Sequence, residues 1–165
     1  TTTPSFTRNV AVHDPSVLRV GEAHFVFGSH LAVARSTDLF GWTRVPSSAL
    51  FPDPATIFAE AIAWAGAANY WAPDVHRMDD GRYYFYYCVT AGDSPRSALG
   101  IAVADTIAGP YTHEAVLLRS GMWGQVSPDG TNYDATRHPN AVDPTLFRDA
   151  NGVLTHYVGS QIDVS

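Results

Sequence analysis

The chain has 165 residues, of which 45% are hydrophobic and 16% charged, and its formal net charge is -6 with no lysine. This length suits one hydrophobic core, and an acidic chain is a poor partner for nucleic acid or an anionic membrane surface, since both bind clustered cations. The single cysteine, Cys88, excludes an internal disulfide and a cysteine-based zinc site.

Short β-rich segments bounded by turn residues follow one another along the chain. Residues 24–28, 82–90 and 153–158 are predicted strands, and the last two follow the turn signals Asp80-Gly81 and Asn151-Gly152. Residues 55–68 are rich in alanine but show neither clear capping nor clean helical spacing of apolar residues, so we predict a loop there. The pattern predicts an all-β fold.

These hairpins belong to a repeat that begins each time with a residue before a proline. The starting pairs are Asp14-Pro15, Ala72-Pro73 and Asp143-Pro144, and each is followed by a strand, a turn and a second strand. Four antiparallel strands per unit, recurring at roughly 60–70 residues, predict a β-propeller. The units cover about 12–45, 72–116 and 143–165, or two and a half blades.

Closure of a propeller takes about 4–8 blades. We therefore expect the chain to be the N-terminal part of a single propeller domain whose remaining blades lie outside it. The alternative is a ring completed by partner copies.

The residue before each repeat proline carries the predicted chemistry. Innermost strands of a propeller start near its axis, so Asp14 and Asp143 should converge there, with the small Ala72 between them. Proline biases the preceding residue toward extended backbone, which should hold both acids on rigid strand starts. Asp53-Pro54 lies outside the repeat and is expected only to start a turn. Asp74 occupies another repeat position and is predicted to be a structural hydrogen-bond acceptor.

The sequence resembles glycoside hydrolase family 43, and its arabinanases most of all, from about residue 12 to residue 160. The motifs that carry the resemblance are His13-Asp14-Pro15-Ser16, Trp71-Ala72-Pro73-Asp74, Asn140-Ala141-Val142-Asp143-Pro144, Ser97-Ala98-Leu99-Gly100-Ile101-Ala102 and Ala108-Gly109-Pro110-Tyr111. The resemblance implies a five-bladed β-propeller from a secreted, inverting hydrolase of α-1,5-linked arabinan, a plant cell-wall polysaccharide. The same scaffold also serves β-xylosidases and α-L-arabinofuranosidases, and a non-catalytic carbohydrate-binding propeller is a further alternative.

The resemblance also implies roles for the two repeat acids. Asp14 would be the general base that activates water, and Asp143 would be a third carboxylate that tunes the general acid and orients the sugar. In the family the general acid is a glutamate on a later blade. None of the three glutamates, Glu22, Glu60 and Glu114, suits that place, so we expect the chain by itself to lack turnover.

Substrate-binding residues are implied in the same way. Trp71 would stack on a sugar face, Asn140 would bind a sugar hydroxyl, and Gly159 and Ser160 would line the sugar pocket. The seven histidines are dispersed without metal-ligand spacing, so no metal site is predicted. The resemblance also allows a calcium ion in the central tunnel, with ligands from later blades.

Overall fold

The computed structural model describes residues 6, 9–121 and 140–159, which form three antiparallel sheets joined in part by short helices. The first sheet has the strand order β1-β2-β3-β4. Its strands are β1 (Ser16–Val20), β2 (Ala23–Gly28), β3 (Ala32–Ser36) and β4 (Thr43–Arg44), and a short 3-10 turn (Ser29–Leu31) connects β2 to β3.

The second sheet repeats the same order as β5-β6-β7-β8, and the third pairs β9 with β10. Their strands are β5 (Asn69–Arg77), β6 (Tyr83–Thr90), β7 (Ser97–Ala104), β8 (Thr112–Arg119), β9 (Val142–Arg148) and β10 (Leu154–Gly159). The all-β class and the four-stranded unit are therefore confirmed, and the three predicted strands lie within a residue or so of β2, β6 and β10.

The predicted loop over residues 55–68 is wrong, because this connection is helical. Helix α1 (Ser47–Leu50) is followed by α2 (Pro54–Ile57) and α3 (Ala59–Ala65). The Asp53 carboxylate accepts the Thr56 backbone N–H at 3.3 Å, and Pro54 occupies the first turn, so Asp53-Pro54 starts a helix rather than a simple turn. Gly66, with φ of 79°, ends α3 in the left-handed conformation that glycine permits.

The helices fill the space between the first two sheets with apolar side chains. Phe51, which follows α1, lies 4.9 Å from Phe85 of β6 and 5.3 Å from Tyr111, measured between ring centroids. Phe27 of β2 reaches the same cluster at 6.0 Å from Phe85. One aromatic core therefore joins the two sheets and holds their inner strands side by side. No helix among the described residues is long and apolar enough to cross a membrane.

Close packing within the second sheet depends on a glycine in β7. The side chain of Tyr87, which is fully buried, crosses the position where a Cβ at Gly100 would stand. The added atom would also approach the backbone oxygen of Ala115 to 2.7 Å. Only a residue without a side chain fits between β6 and β8 here.

We expect Gly100→Ala to lower the free energy of unfolding by about 1–3 kcal/mol, because the methyl group displaces Tyr87 in a packed core. Gly41→Ala is the control, since its Cβ would meet nothing nearer than the Asp38 carboxylate at 3.7 Å. Thermal denaturation of both variants measures the difference, and equal midpoints would contradict the packing argument.

Candidate active site

The three repeat starts line one pocket of about 390 Å³, at the start of strands β1 and β9 and in the middle of β5. Each sheet contributes three consecutive residues of the x-Pro-x pattern. The lining residues are Asp14, Pro15, Ser16, Ala72, Pro73, Asp74, Asp143, Pro144 and Thr145. The structure thus brings Asp14 and Asp143 together, with Ala72 as the equivalent residue of the middle sheet.

The predicted extended backbone of the two acids is wrong. Asp14 has φ of 50° and Asp143 has φ of 52°, both in the left-handed region. Aspartate is one of the few residues besides glycine that enters this region, because its short polar side chain can bond nearby groups. Such a conformation costs about 1–3 kcal/mol and persists only where surrounding contacts enforce it. Asp53, the acid of the Asp-Pro pair outside the repeat, has an ordinary φ of -139°.

The Asp14 carboxylate is held through one of its two oxygens. Oδ2 accepts a hydrogen bond from the Ser29 hydroxyl at 2.7 Å and lies 2.7 Å from Nδ1 of His13. Ser29 is buried at the end of β2, and its hydroxyl oxygen also accepts the backbone N–H of Ala72 at 2.9 Å. Asp14 is therefore oriented by its own sheet and, through Ser29, by the neighbouring sheet.

The Asp143 carboxylate lies against a glycine of β10. A Cβ on Gly159 would come within 2.9 Å of the Asp143 Cβ and 3.1 Å of its Oδ2, so this approach requires glycine. Partial burial, followed by the negative charge of Asp14, raises the pKa of Asp143 above its ordinary value. The pKa of Asp143 therefore depends in part on the charge of Asp14, the other acid of the pocket.

Asp74 is a shared acceptor for three sheets. Its Oδ1 accepts the Ser16 hydroxyl at 2.8 Å, and its Oδ2 accepts the Thr145 hydroxyl at 3.1 Å and the Leu146 backbone N–H at 2.9 Å. Nε2 of His76 lies 2.8 Å from the same oxygen. Burial opposes ionisation of Asp74, but the bonds from His76, Leu146 and Ser16 outweigh it and lower the pKa to about 2. The predicted structural role is confirmed.

Trp71, Asn140 and Gly159, which the sequence also singled out, do not line this pocket. Trp71 is half-buried on β5, beside the break in register between Trp71 and Asp74, and Asn140 is buried just before β9. Gly159 packs against Asp143, as described, and Ser160 lies outside the described residues.

None of the three glutamates lines the pocket. Glu22 lies in the turn between β1 and β2, and Glu114 lies on β8. Glu60 lies on helix α3 rather than in a loop, and it pairs with Arg119 and lies 3.4 Å from His113.

Ser29 and His13 are the site residues that the sequence reasoning did not assign. The signal for Ser29 was present, because Gly28-Ser29 ends β2 at the same repeat position as Gly159-Ser160. Within the described residues, no group of three or more His, Cys, Asp or Glu side chains could hold a metal ion.

Comparison with known proteins places this geometry in a family. Residues 7–163 match the model of glycosyl hydrolases family 43. The chain belongs to that family. It is 48% identical over 158 residues to extracellular endo-α-(1→5)-L-arabinanase 2 of Bacillus subtilis, covering 93% of this chain and 34% of that protein. The extracellular endo-α-(1→5)-L-arabinanase of Thermotoga petrophila is 47% identical, with 95% and 35% covered.

Solved structures of the family show the same fold. A family 43 glycoside hydrolase from Bacillus licheniformis superposes with a TM-score of 0.80 at 50% identity, over 92% of this chain and 35% of that one. The endo-1,5-α-L-arabinanase structure from Thermotoga petrophila gives 0.80 at 44% identity, over 96% and 39%. Family 43 arabinanases are five-bladed β-propellers, so the three sheets are two full blades and half of a third. The chain spans about a third of the length of the curated relatives it matches.

We expect Asp74→Asn to destabilise the protein by about 2 kcal/mol near neutral pH, from the difference between a folded pKa of about 2 and an ordinary value of 3.8. Because the folded pKa is lowered, the stabilisation is present above the unfolded pKa and is lost as pH falls from about 4 toward 2. Chemical denaturation across this range measures it. Asp79→Asn, at a largely exposed acid, is the control, and an Asp74→Asn variant as stable as that control would contradict the shared-acceptor role.

The electrostatic interaction between Asp14 and Asp143 gives a separate prediction. In Asp14→Asn the pKa of Asp143 should fall but stay above its ordinary value, because partial burial, the larger cause, remains when the charge of Asp14 is removed. An NMR titration of the Asp143 carboxyl carbon measures the change, with Asp38→Asn in a turn of the first sheet as control. A pKa of Asp143 that is unchanged or higher in Asp14→Asn would rule out the coupling.

Proposed function

We propose that this chain is part of a secreted, inverting glycoside hydrolase that cleaves the α-1,5-L-arabinofuranosidic bonds of arabinan. One observation carries the proposal: two aspartates from separate blades, both in a strained left-handed conformation before proline, line a single pocket. Strain of this kind concentrates at active sites, where it holds a reactive group in place. The names of two relatives at 47–48% identity, both endo-arabinanases, support the substrate and favour cleavage within the polymer.

In the proposed mechanism Asp14 is the general base. An inverting glycosidase uses one carboxylate to deprotonate water and one carboxylic acid to protonate the leaving oxygen, about 6.5–9.5 Å apart. Asp14 accepts the proton of the attacking water, and the water oxygen forms the new bond to the anomeric carbon as the glycosidic bond breaks. The leaving oxygen takes its proton from a carboxylic acid on a blade outside this chain.

Asp143 has a different part in the proposal. A carboxylate near the general acid raises the pKa of that acid by like-charge repulsion, which keeps it protonated near neutral pH. The pKa of Asp143 is raised first by partial burial and second by the negative charge of Asp14, and the second cause supports this role because the two carboxylates interact across the pocket. Trp71, Asn140 and Gly159-Ser160 are proposed to contact the sugar from around the pocket.

The remaining blades are proposed to pack against the third sheet. Phe147 and Tyr157, which share one face of this sheet, are exposed to 55% and 57%. Exposed apolar groups gathered in this way mark an interaction surface. The relatives are about three times as long as the chain they match, which supports further blades as the occupant.

Secretion is supported by the word extracellular in both relatives' names. A neutral polysaccharide substrate suits a chain with net charge -6 better than a polyanion does.

The test compares two Asp-Pro pairs in the full-length enzyme that contains this chain. Asp14→Ala should lower the rate of arabinan hydrolysis by about 10²–10⁴-fold, because it removes the general base. Asp53→Ala should keep the rate and lower only the melting temperature, because Asp53 caps a helix. Reducing-sugar release measures both, with xylo-oligosaccharides as the competing substrate. An Asp14→Ala enzyme with near-normal turnover, or an enzyme that binds arabino-oligosaccharides without cleaving them, would reject the proposal.

A further inference from the structure

The hydroxyl of Ser29 stands between the proposed general base and the second blade. Its oxygen accepts the backbone N–H of Ala72 at 2.9 Å and lies 2.7 Å from Oδ2 of Asp14. Ser29 is only 3% exposed and the Asp14 side chain is 42% exposed, so the hydroxyl holds the carboxylate from its buried side. The backbone around it is constrained as well: a Cβ on Gly28 would overlap the carbonyl oxygen of His13, and His30 has φ of 62°.

The two contacts determine where the Ser29 proton points. A hydroxyl has one proton to donate and lone pairs that accept. Because the Ala72 N–H occupies a lone pair, the hydroxyl proton is directed to Oδ2 of Asp14, the carboxylate oxygen within reach. A hydrogen bond donated to a carboxylate is among the stronger ones in proteins.

The same oxygen of Asp14 is also the one that His13 contacts. Nδ1 of His13 lies 2.7 Å from Oδ2. Within the described part of the chain, Oδ1 of Asp14 accepts no hydrogen bond. The carboxylate therefore has one oxygen with two partners and one oxygen left for another group.

We propose that Ser29 is a positioning residue that holds Oδ2 of Asp14 and so assigns Oδ1 as the oxygen that takes the proton of the attacking water. This inference rests on the proposed function. In the step, Oδ1 gains the proton of water, the water oxygen bonds to the anomeric carbon, and the glycosidic oxygen leaves with a proton from the carboxylic acid of another blade. Ser29 itself loses no proton and touches no substrate.

The experiment uses the full-length enzyme with linear arabino-oligosaccharides as substrate. Ser29→Ala should lower kcat about 10-fold to 100-fold, because a small displacement of a reacting group costs rates of this order. KM should stay within about twofold of the wild-type value, since Ser29 does not bind the sugar. Ser29→Cys keeps a weak donor of similar shape and should give an intermediate kcat.

Ser36→Ala is the matched control. Ser36 is a serine of the first blade that is also 3% exposed. Its hydroxyl donates a hydrogen bond to Asp38 at the far end of β3, away from the pocket. Its loss should lower the melting temperature and leave kcat unchanged. Thermal unfolding of every variant allows rates to be expressed per folded molecule.

A kcat of Ser29→Ala equal to that of Ser36→Ala would overturn the inference, as would a loss that appears only in KM. If Ser29→Ala does not fold, Ser29→Cys decides, and a wild-type kcat in that variant counts against the role. Asp14→Ala, measured beside them, separates the two proposals. Should Asp14→Ala remain active, the general base is wrongly assigned and the Ser29 inference fails with it. Should Asp14→Ala be inactive while Ser29→Ala is normal, only the Ser29 inference fails.

Discussion

The pocket depends on one carboxylate that three blades share. Asp74 takes donors from Ser16 of the first blade and from Thr145 and Leu146 of the third, while it belongs to the second. With both carboxylate oxygens engaged, the inner strands β1, β5 and β9 can meet in only one arrangement that satisfies every donor. Slippage between blades would leave the partly buried donors of Ser16 and Leu146 without their acceptor, so it is penalised at the point where the acids converge.

The strained acids are held by their surroundings. Asp14 and Asp143 both adopt a left-handed backbone, and in each case a glycine at the end of the second strand allows the acid-bearing segment to approach. Gly28 lies against the carbonyl of His13, and Gly159 lies against the side chain of Asp143. Gly28 and Gly159 occupy the same repeat position. Each lets the end of a second strand pack closely against the segment that carries an aspartate, and this packing holds the aspartate near the pocket.

The sequence predicted the features that follow from periodicity and missed those that follow from contacts. The repeat of x-Pro-x starts located the pocket and separated Asp14 from Asp53, although the local dipeptide is identical. The extended backbone predicted for Asp14 failed because the proline rule is local, whereas the bond from Ser29 comes from the end of another strand. The helices near residue 60 were missed because the Asp53 cap resembles a turn.

Asp74 and Asp143 line one pocket, but their pKa values shift in opposite directions because the groups around the two carboxylates differ. Asp74 has enough donors to lower its pKa to about 2 despite burial, so it stays charged near neutral pH and bonds all three sheets. Asp143 has a raised pKa from partial burial and the charge of Asp14, so its protonation responds to its neighbours. The residue type is the same, and the repeat position sets the donors that each carboxylate meets.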